Sequence, residues 1–304
     1  MTHYRVVIFG EVLFDSFPDG SRTLGGAPFN VAWHLCALGM NPLIITRIGN
    51  DAAGAEVRAA MTQWGLDTSG LQTDPQLPTG MVRVQFDAGE PQYTIVHPSA
   101  FDAIDHRAAA NAAGNRAVLL YHGSLALRST TSREALEQLR DNLHGMTFID
   151  VNLRPPWWDK QTILAWVGAA DWVKLNEHEL QQLSGTSGSP TDQAALFLSH
   201  HDLSGVILTQ GERGAAIVSA GQAVQRVEPR GEIRLVDTVG AGDAFTSIML
   251  LGLIKKWAPE QALRLAQDFA SQICGQRGAL VREPPFYQAL MKRWKLNEQT
   301  GRID

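Results

Sequence analysis

Hydrophobic positions along this chain follow two alternating rhythms. Continuous apolar runs of strand length, "YRVVIFG", "PLIITRIG", "AVLLYHG", "MTFIDVN", "DWVKLN" and "GVILTQG", carry no regular polar interruption. Between them lie stretches of helical period, such as "APFNVAWHLCALG" and "AGAEVRAAMTQWG", ended by Gly39 and Gly65. Strands without polar alternation are buried on both faces, and strands separated by helices pair in parallel. The pattern predicts an α/β fold with a mostly parallel sheet between two helical layers. One segment departs from it. In "TGMVRVQFDAGEPQYTIVHP", residues 79 to 98, apolar and polar positions alternate around a turn at "DAGEP". That is the pattern of an antiparallel hairpin with one face in water. Such a hairpin suits a lid over a site at the strand ends, or a dimer surface. No linker, repeat or low-complexity tract divides the chain, and the tail "KRWKLNEQTGRID" is polar.

Composition narrows the partners. A chain of 304 residues with 44% hydrophobic and 19% charged content can bury a sizeable core as an ordinary globular protein. The net charge is −5 and no basic run exceeds Lys255 and Lys256, which argues against nucleic acid. Cys36 and Cys274 are the only cysteines, each in an apolar helical context; they read as buried thiols of a reducing compartment. No apolar run reaches the ~18 residues that span a bilayer, and "MTHYRVVIFG" is no signal peptide. No membrane role and a cytoplasmic location are expected.

The chemistry concentrates in short glycine-rich stretches. "DTVGAGDAF" strips side chains from Gly240, Ala241 and Gly242, then places Asp243 before a buried apolar run. The N-terminus of a helix leaves N–H groups unpaired and carries partial positive charge. Without side chains in the way, an anion such as a phosphoryl group could sit there, with Asp243 taking a proton beside it. A plain glycine turn with an acid favouring the helix start fits the same residues.

"LGGAPFNVAWHL" sets Gly25 and Gly26 before a helix that carries Asn30, either for close approach of a substrate or as a tight turn with a solvated Asn. Asp15, after the first strand, could grip two sugar hydroxyls or stabilise a turn. "FIDVNLRPPWW" offers Asn152 and Arg154, for charged oxygens or for a surface ion pair. Asn176 and Glu179 in "KLNEHEL" could hold Mg²⁺ through water, or form a helix cap with Glu at its third position. There is no Walker-type loop, no dinucleotide fingerprint after the first strand, and no metalloprotease or nucleophile-elbow pattern.

Taken together, "LGGAPFNVAWHLCALG" and "DTVGAGDAF" resemble the two signatures of the ribokinase-like (PfkB) sugar kinase family. "FGEVLFD", "PTGMVRVQFD", "AFD", "HGSLALRS", "DVNLRPPWW" and "VKLNEHEL" resemble its bacterial fructokinase branch, and the likeness runs from about residue 5 to residue 285. The resemblance implies a single three-layer domain over residues 1–304, with a mostly parallel central sheet and a small β lid from about 11–24 and 72–100. It implies ATP and Mg²⁺, a small-molecule sugar, and transfer of the γ-phosphate to a primary hydroxyl, with D-fructose first among the sugars. Kinases for 2-keto-3-deoxygluconate, ribose or a nucleoside, and a non-catalytic sugar sensor, are the rival readings. By motif, Asp243 is the base and Gly240, Ala241 and Gly242 the anion hole, with Arg154 near the moving phosphate. Asp15, Gly25, Gly26, Asn30, Phe101 and Asn152 fall to the sugar. Lys174, Asn176, Glu179, Thr209, Gly211, Gly214 and Gln267 fall to nucleotide and Mg²⁺, and Asp237 to a monovalent cation such as K⁺. The chain departs from its relatives at Gln267, where Asn is frequent, and at Arg282 near the cation position.

Overall fold

The computed structural model describes residues 5–87, 90–114, 117–229 and 235–296. From the amino end, strand β1 (Arg5–Phe9) leads into a short excursion, β2 (Leu13–Ser16) and β3 (Arg22–Gly25). Helix α1 (Ala27–Ala37) then brings the chain back at β4 (Leu43–Gly49), and α2 (Ala52–Trp64) leads to β5 (Leu71–Asp74). A second excursion, β6 (Gly80–Asp87) and β7 (Glu90–Ile95), comes before α3 (His106–Ala113). The strand–helix rhythm resumes with β8 (Ala117–His122), α4 (Thr130–Asn142), β9 (Met146–Asp150), α5 (Lys160–Val167) and β10 (Trp172–Asn176). Helices α6 (Glu177–Ser184) and α7 (Pro190–His200) precede β11 (Gly205–Thr209), β12 (Ala215–Ser219) and β13 (Gln225–Val227). Helices α8 (Ala241–Ile254), α9 (Pro259–Cys274) and α10 (Pro284–Arg293) follow.

Nine strands form one sheet in the order β13-β12-β11-β10-β9-β8-β1-β4-β5. Seven neighbouring strands pair in parallel; at one edge β12 alone runs in reverse, pairing antiparallel with both β11 and β13. Burial on both faces explains the uninterrupted apolar runs. In β1, Val6 and Ile8 face the layer that holds α1, α8 and α9, while Val7 and Phe9 face the layer of α3 to α7. Helix α8 is apolar all round, and every residue from Ala244 to Gly252 is buried. It runs inside the molecule, and only its two ends reach solvent. No helix among the described residues is long and apolar enough to cross a membrane. Cys36 and Cys274 are free thiols, but half-buried rather than buried, because both lie at helix ends.

The two excursions form a separate four-stranded sheet, β3-β2-β6-β7, with β2 and β6 parallel and the outer pairs antiparallel. The range 72–100 expected for the lid therefore divides. Residues 72 to 74 belong to β5 in the large sheet, and the small sheet takes up the chain at Gly80. The hairpin turn at residues 88 and 89 lies outside the described residues. Val82 and Val84 are buried as the alternation requires, yet Tyr93, paired opposite Val84, is 63% exposed. It stands on the edge strand, where the sheet's inner face runs out of cover.

Candidate active site

Helix α8 begins without a side-chain cap. Its N-cap, Gly240, has φ 79°, and a Cβ there would come within 2.3 Å of the Ala279 Cβ, so the turn requires glycine twice over. Gly242 is a different case. It is exposed, and a Cβ added there would meet nothing nearer than Lys174 Nζ at 3.7 Å. An open backbone surface thus adjoins a buried ammonium group. Of the three N–H groups expected for an anion hole, that of Ala241 donates to Thr238 O at 3.3 Å, so Gly242 presents the freer one.

Asp243, third residue of α8, does not fold back to cap the helix. Its Oδ2 accepts a 2.7 Å hydrogen bond from Asn30 Nδ2, which projects from α1. Burial among these elements pushes the Asp243 pKa up to about 6; Asn30, Lys174 and Arg154 oppose the rise, and Asp150 adds to it. A carboxyl so placed is ionised near neutrality yet accepts a proton readily.

Beneath this turn lies a buried ion pair. Lys174 Nζ donates to both oxygens of Asp150 at 2.9 and 2.8 Å, and Thr246 Oγ1 donates to Asp150 Oδ2 at 2.9 Å. Burial opposes the lysine's charge, but Asp150 outweighs it and pushes the Lys174 pKa up. Thr246 Oγ1 also lies 2.9 Å from Gly242 O. The pair is thereby joined to the first turn of α8.

Of the residues expected around a sugar, Asn30 bonds to Asp243 and Gly25 lies beside Asn30, while Asp15 lies within reach of the Arg154 charge. Asp15 lies within β2, half-buried, and not in a turn as its position after β1 suggested. Burial raises its pKa and the Arg154 charge lowers it. Gly26 lets the chain pass Glu11, since a Cβ there would be 2.8 Å from Glu11 O. Gly25 lies beside Asn30, whose Oδ1 would be 3.7 Å from a Cβ at that position. Arg154 is exposed and in no ion pair among the described residues; Nη1 reaches only Leu153 O, at 3.3 Å. Asn152 is half-buried with φ 40°, and its carbonyl accepts from Ser124 Oγ. Phe101 is completely buried under the Arg128 guanidinium, 4.8 Å from its ring centroid. It therefore supports the small-sheet side of the site from behind and has no free face.

Of the residues expected to serve the nucleotide, Asn176 and Glu179 satisfy one another. Asn176 Oδ1 accepts from Glu179 N and Glu179 Oε2 from Asn176 N, both at 2.9 Å, while Glu179 Oε1 takes the Leu153 N–H. The capping reading of these residues describes what they do. Their spare lone pairs fit an outer contact with hydrated Mg²⁺ and not direct coordination. The "TQGERGA" loop follows β11. Thr209 is half-buried, Gly211 and Gly214 have φ 60° and 91°, and a Cβ at Gly214 would overlap Val227 O. Gln210 and Arg213 both bind Glu177, tying this loop to the start of α6. Gln267 lies on α9, 3.4 Å from Ser271 Oγ. Asp237 accepts from the N–H groups of Val239 and Gly278 at 3.0 Å each, bracing the loop before α8.

Three residues of this arrangement escaped the sequence reading: Asp150, Thr246 and Glu11. Glu11 ends the first strand segment in "FGEV" and is 3% exposed. A charged residue inside an apolar run was the available signal. Asp150 gave the same signal in "FIDVN".

A family model described as pfkB family carbohydrate kinase matches residues 9–284. The chain belongs to that family. It is 31% identical over 287 residues to the fructokinase of Klebsiella pneumoniae, covering 89% of this chain and 92% of that protein. It is 30% identical to the fructokinase of Salmonella typhimurium, over 95% and 98% of the two chains. Among solved structures it resembles a double mutant of the Vibrio cholerae O395 fructokinase with bound fructose, ADP and potassium ion. There the TM-score is 0.80 and the identity 26%, with 95% of this chain and 98% of that one covered.

Proposed function

We propose that this protein is an ATP-dependent fructokinase that converts D-fructose to fructose 6-phosphate. The observation that carries the proposal is the start of α8, where Asp243, held by Asn30, borders the open backbone of Gly242. The sugar's primary hydroxyl attacks the γ-phosphorus in line. The new P–O bond forms as the bond to the β-phosphate oxygen breaks, ADP leaves, and Asp243 receives the hydroxyl proton. The Gly242 N–H and the Lys174 ammonium face the phosphoryl oxygens, and Arg154 adds positive charge from the acceptor side. Mg²⁺ bound to the phosphates, with its water against Asn176 and Glu179, would neutralise charge on the equatorial oxygens. K⁺ near Asp237 would stiffen the loop before α8; replacing K⁺ by a bulky organic cation tests that role.

The polar groups around Asp15 and Asn30 favour a sugar over a nucleoside, and the small sheet is read as a lid because it carries Asp15. A coupled ADP-release assay with fructose, ribose, 2-keto-3-deoxygluconate and nucleosides tests the reading. Fructose is expected to give the highest kcat/KM. Faster turnover of another acceptor overturns the fructose assignment, and no turnover with any acceptor favours a sensor. Hydrogen exchange with and without fructose tests the lid, where protection of β6 and β7 should rise with sugar.

A further inference from the structure

Glu11 sits at the carboxyl end of β1, wedged against the Gly25–Gly26 turn, and its side chain is sealed from solvent. Its Oε2 has no hydrogen-bond partner among the described residues. Asn30 Oδ1, the Tyr121 hydroxyl on β8 and Arg128 Nη1 are also buried and unpartnered among the described residues. The charged groups that face Glu11 come from three other elements. They are Asp243 on α8, Arg154 after β9, and Arg128 in the turn after β8. Arg128 binds Asp102 and Val96 O through Nε and Nη2 and leaves Nη1 unpartnered among the described residues, and Arg154 is exposed; neither guanidinium bonds to Oε2.

Glu11, buried, and Asp243, half-buried, are therefore two acids within electrostatic reach of each other and with unequal support. Asp243 has an N–H from Asn30 and the charge of Lys174 close by. Glu11 has only its own backbone N–H, and its Oε2 has no donor among the described residues. When two neighbouring carboxyls compete for one proton, it rests on the one whose anion is less well solvated. We propose that Glu11 is a positioning residue of the transfer site, neutral at rest, whose proton leaves the negative charge of the pair on Asp243. The inference rests on the kinase reading above for its purpose, but not for its geometry. Burial, foremost, pushes the Glu11 pKa up to about 7, and that of Asp243 up to about 6.

In this arrangement a neutral Glu11 keeps Asp243 available as a base. If Glu11 ionises, a second anion faces the incoming phosphoryl group and turnover falls. The pH profile of kcat/KM should then rise as Asp243 deprotonates and fall as Glu11 does. Glu11→Gln imitates the protonated acid, and Glu11→Ala removes it. We expect Ala to lose about 10- to 100-fold in kcat, Gln to restore most of that loss, and Gln to lack the alkaline limb. A Gln variant as impaired as Ala, or one that keeps the alkaline limb, overturns the proposal.

A second measurement needs no substrate. An acid whose pKa rises on folding stabilises the protein below its unfolded pKa, and loses that contribution as pH climbs through the folded one. The Tm of Glu11→Gln should therefore gain on wild type between pH 5 and pH 8. A difference that stays flat shows that Glu11 carries no such proton. A wild-type protein inactive toward every sugar sinks the kinase reading instead, and the Tm comparison still locates the proton.

Discussion

Helices α6 and α8 both start beside the candidate site, and both carry an acid as their third residue, Glu179 in one and Asp243 in the other. They use it in opposite ways. In α6 the N-cap is Asn176, so acid and cap bind each other's backbone N–H groups. In α8 the N-cap is Gly240, which offers no side chain, and Asp243 turns away to Asn30 on another helix. A helix start that satisfies itself is a brace. One that leaves N–H groups open, with its acid free to titrate, can meet an anion and take a proton. One residue, Asn against Gly at the cap, separates the two outcomes.

The largest effect should come from removing the titrating acid. Asp243→Asn keeps the size of the side chain and loses the proton acceptor, so kcat should fall ~10²–10⁴-fold in an ADP-release assay. A variant near wild-type kcat takes Asp243 out of the reaction. The base must also be ionised to act. With its pKa up at about 6, kcat/KM should drop about tenfold per pH unit below that point. Asp15→Ala comes next, at roughly 10–10³-fold in kcat/KM for fructose, because sugar hydroxyls lose a charged acceptor and the sugar its position. ATP affinity measured without sugar should be preserved; a parallel loss of nucleotide binding would place Asp15 elsewhere in the mechanism.

The glycines of α8 allow a finer contrast. Gly242→Ala has room in the fold, with ordinary contact to Lys174, but puts a methyl on the anion's approach; turnover should fall about 10–100-fold with Tm preserved. Gly240→Ala should act through stability instead, given its positive φ and the overlap with Ala279. If Gly242→Ala turns over normally, the open helix start is not where phosphate passes. The smallest change expected concerns α6. Glu179→Ala breaks the cap and strands the Leu153 N–H, costing about 1–3 kcal/mol of stability, with Glu179→Gln milder. Should Glu179→Gln raise the Mg²⁺ requirement without lowering Tm, α6 belongs to the chemistry and the contrast with α8 weakens.

Much of this was legible in the chain. Unbroken apolar runs imply strands covered on both faces, and Gly39 and Gly65 stop α1 and α2 where helices need a left-handed residue; neither feature depends on distant partners. The Gly-Ala-Gly-Asp order likewise announces an uncapped helix start, since three small residues can supply no cap. What local order could not decide is which distant groups meet those residues. Asn30 and Asp243 are 213 positions apart and share one hydrogen bond. Asp150, Lys174 and Thr246 become a neutralised unit only because β9, β10 and α8 lie side by side. Phe101 and Asp15 changed meaning with burial and strand pairing, neither of which a motif records. Glu11 is the sharpest case: its residue type is plain in "FGEV", but an unpartnered oxygen, sealed near a second acid, exists only once four elements close around it. Local order determined the elements and their ends through short-range sterics and hydrogen bonding. Tertiary packing decided the charge states, because desolvation and Coulomb energy depend on distances in space and not on separation along the chain.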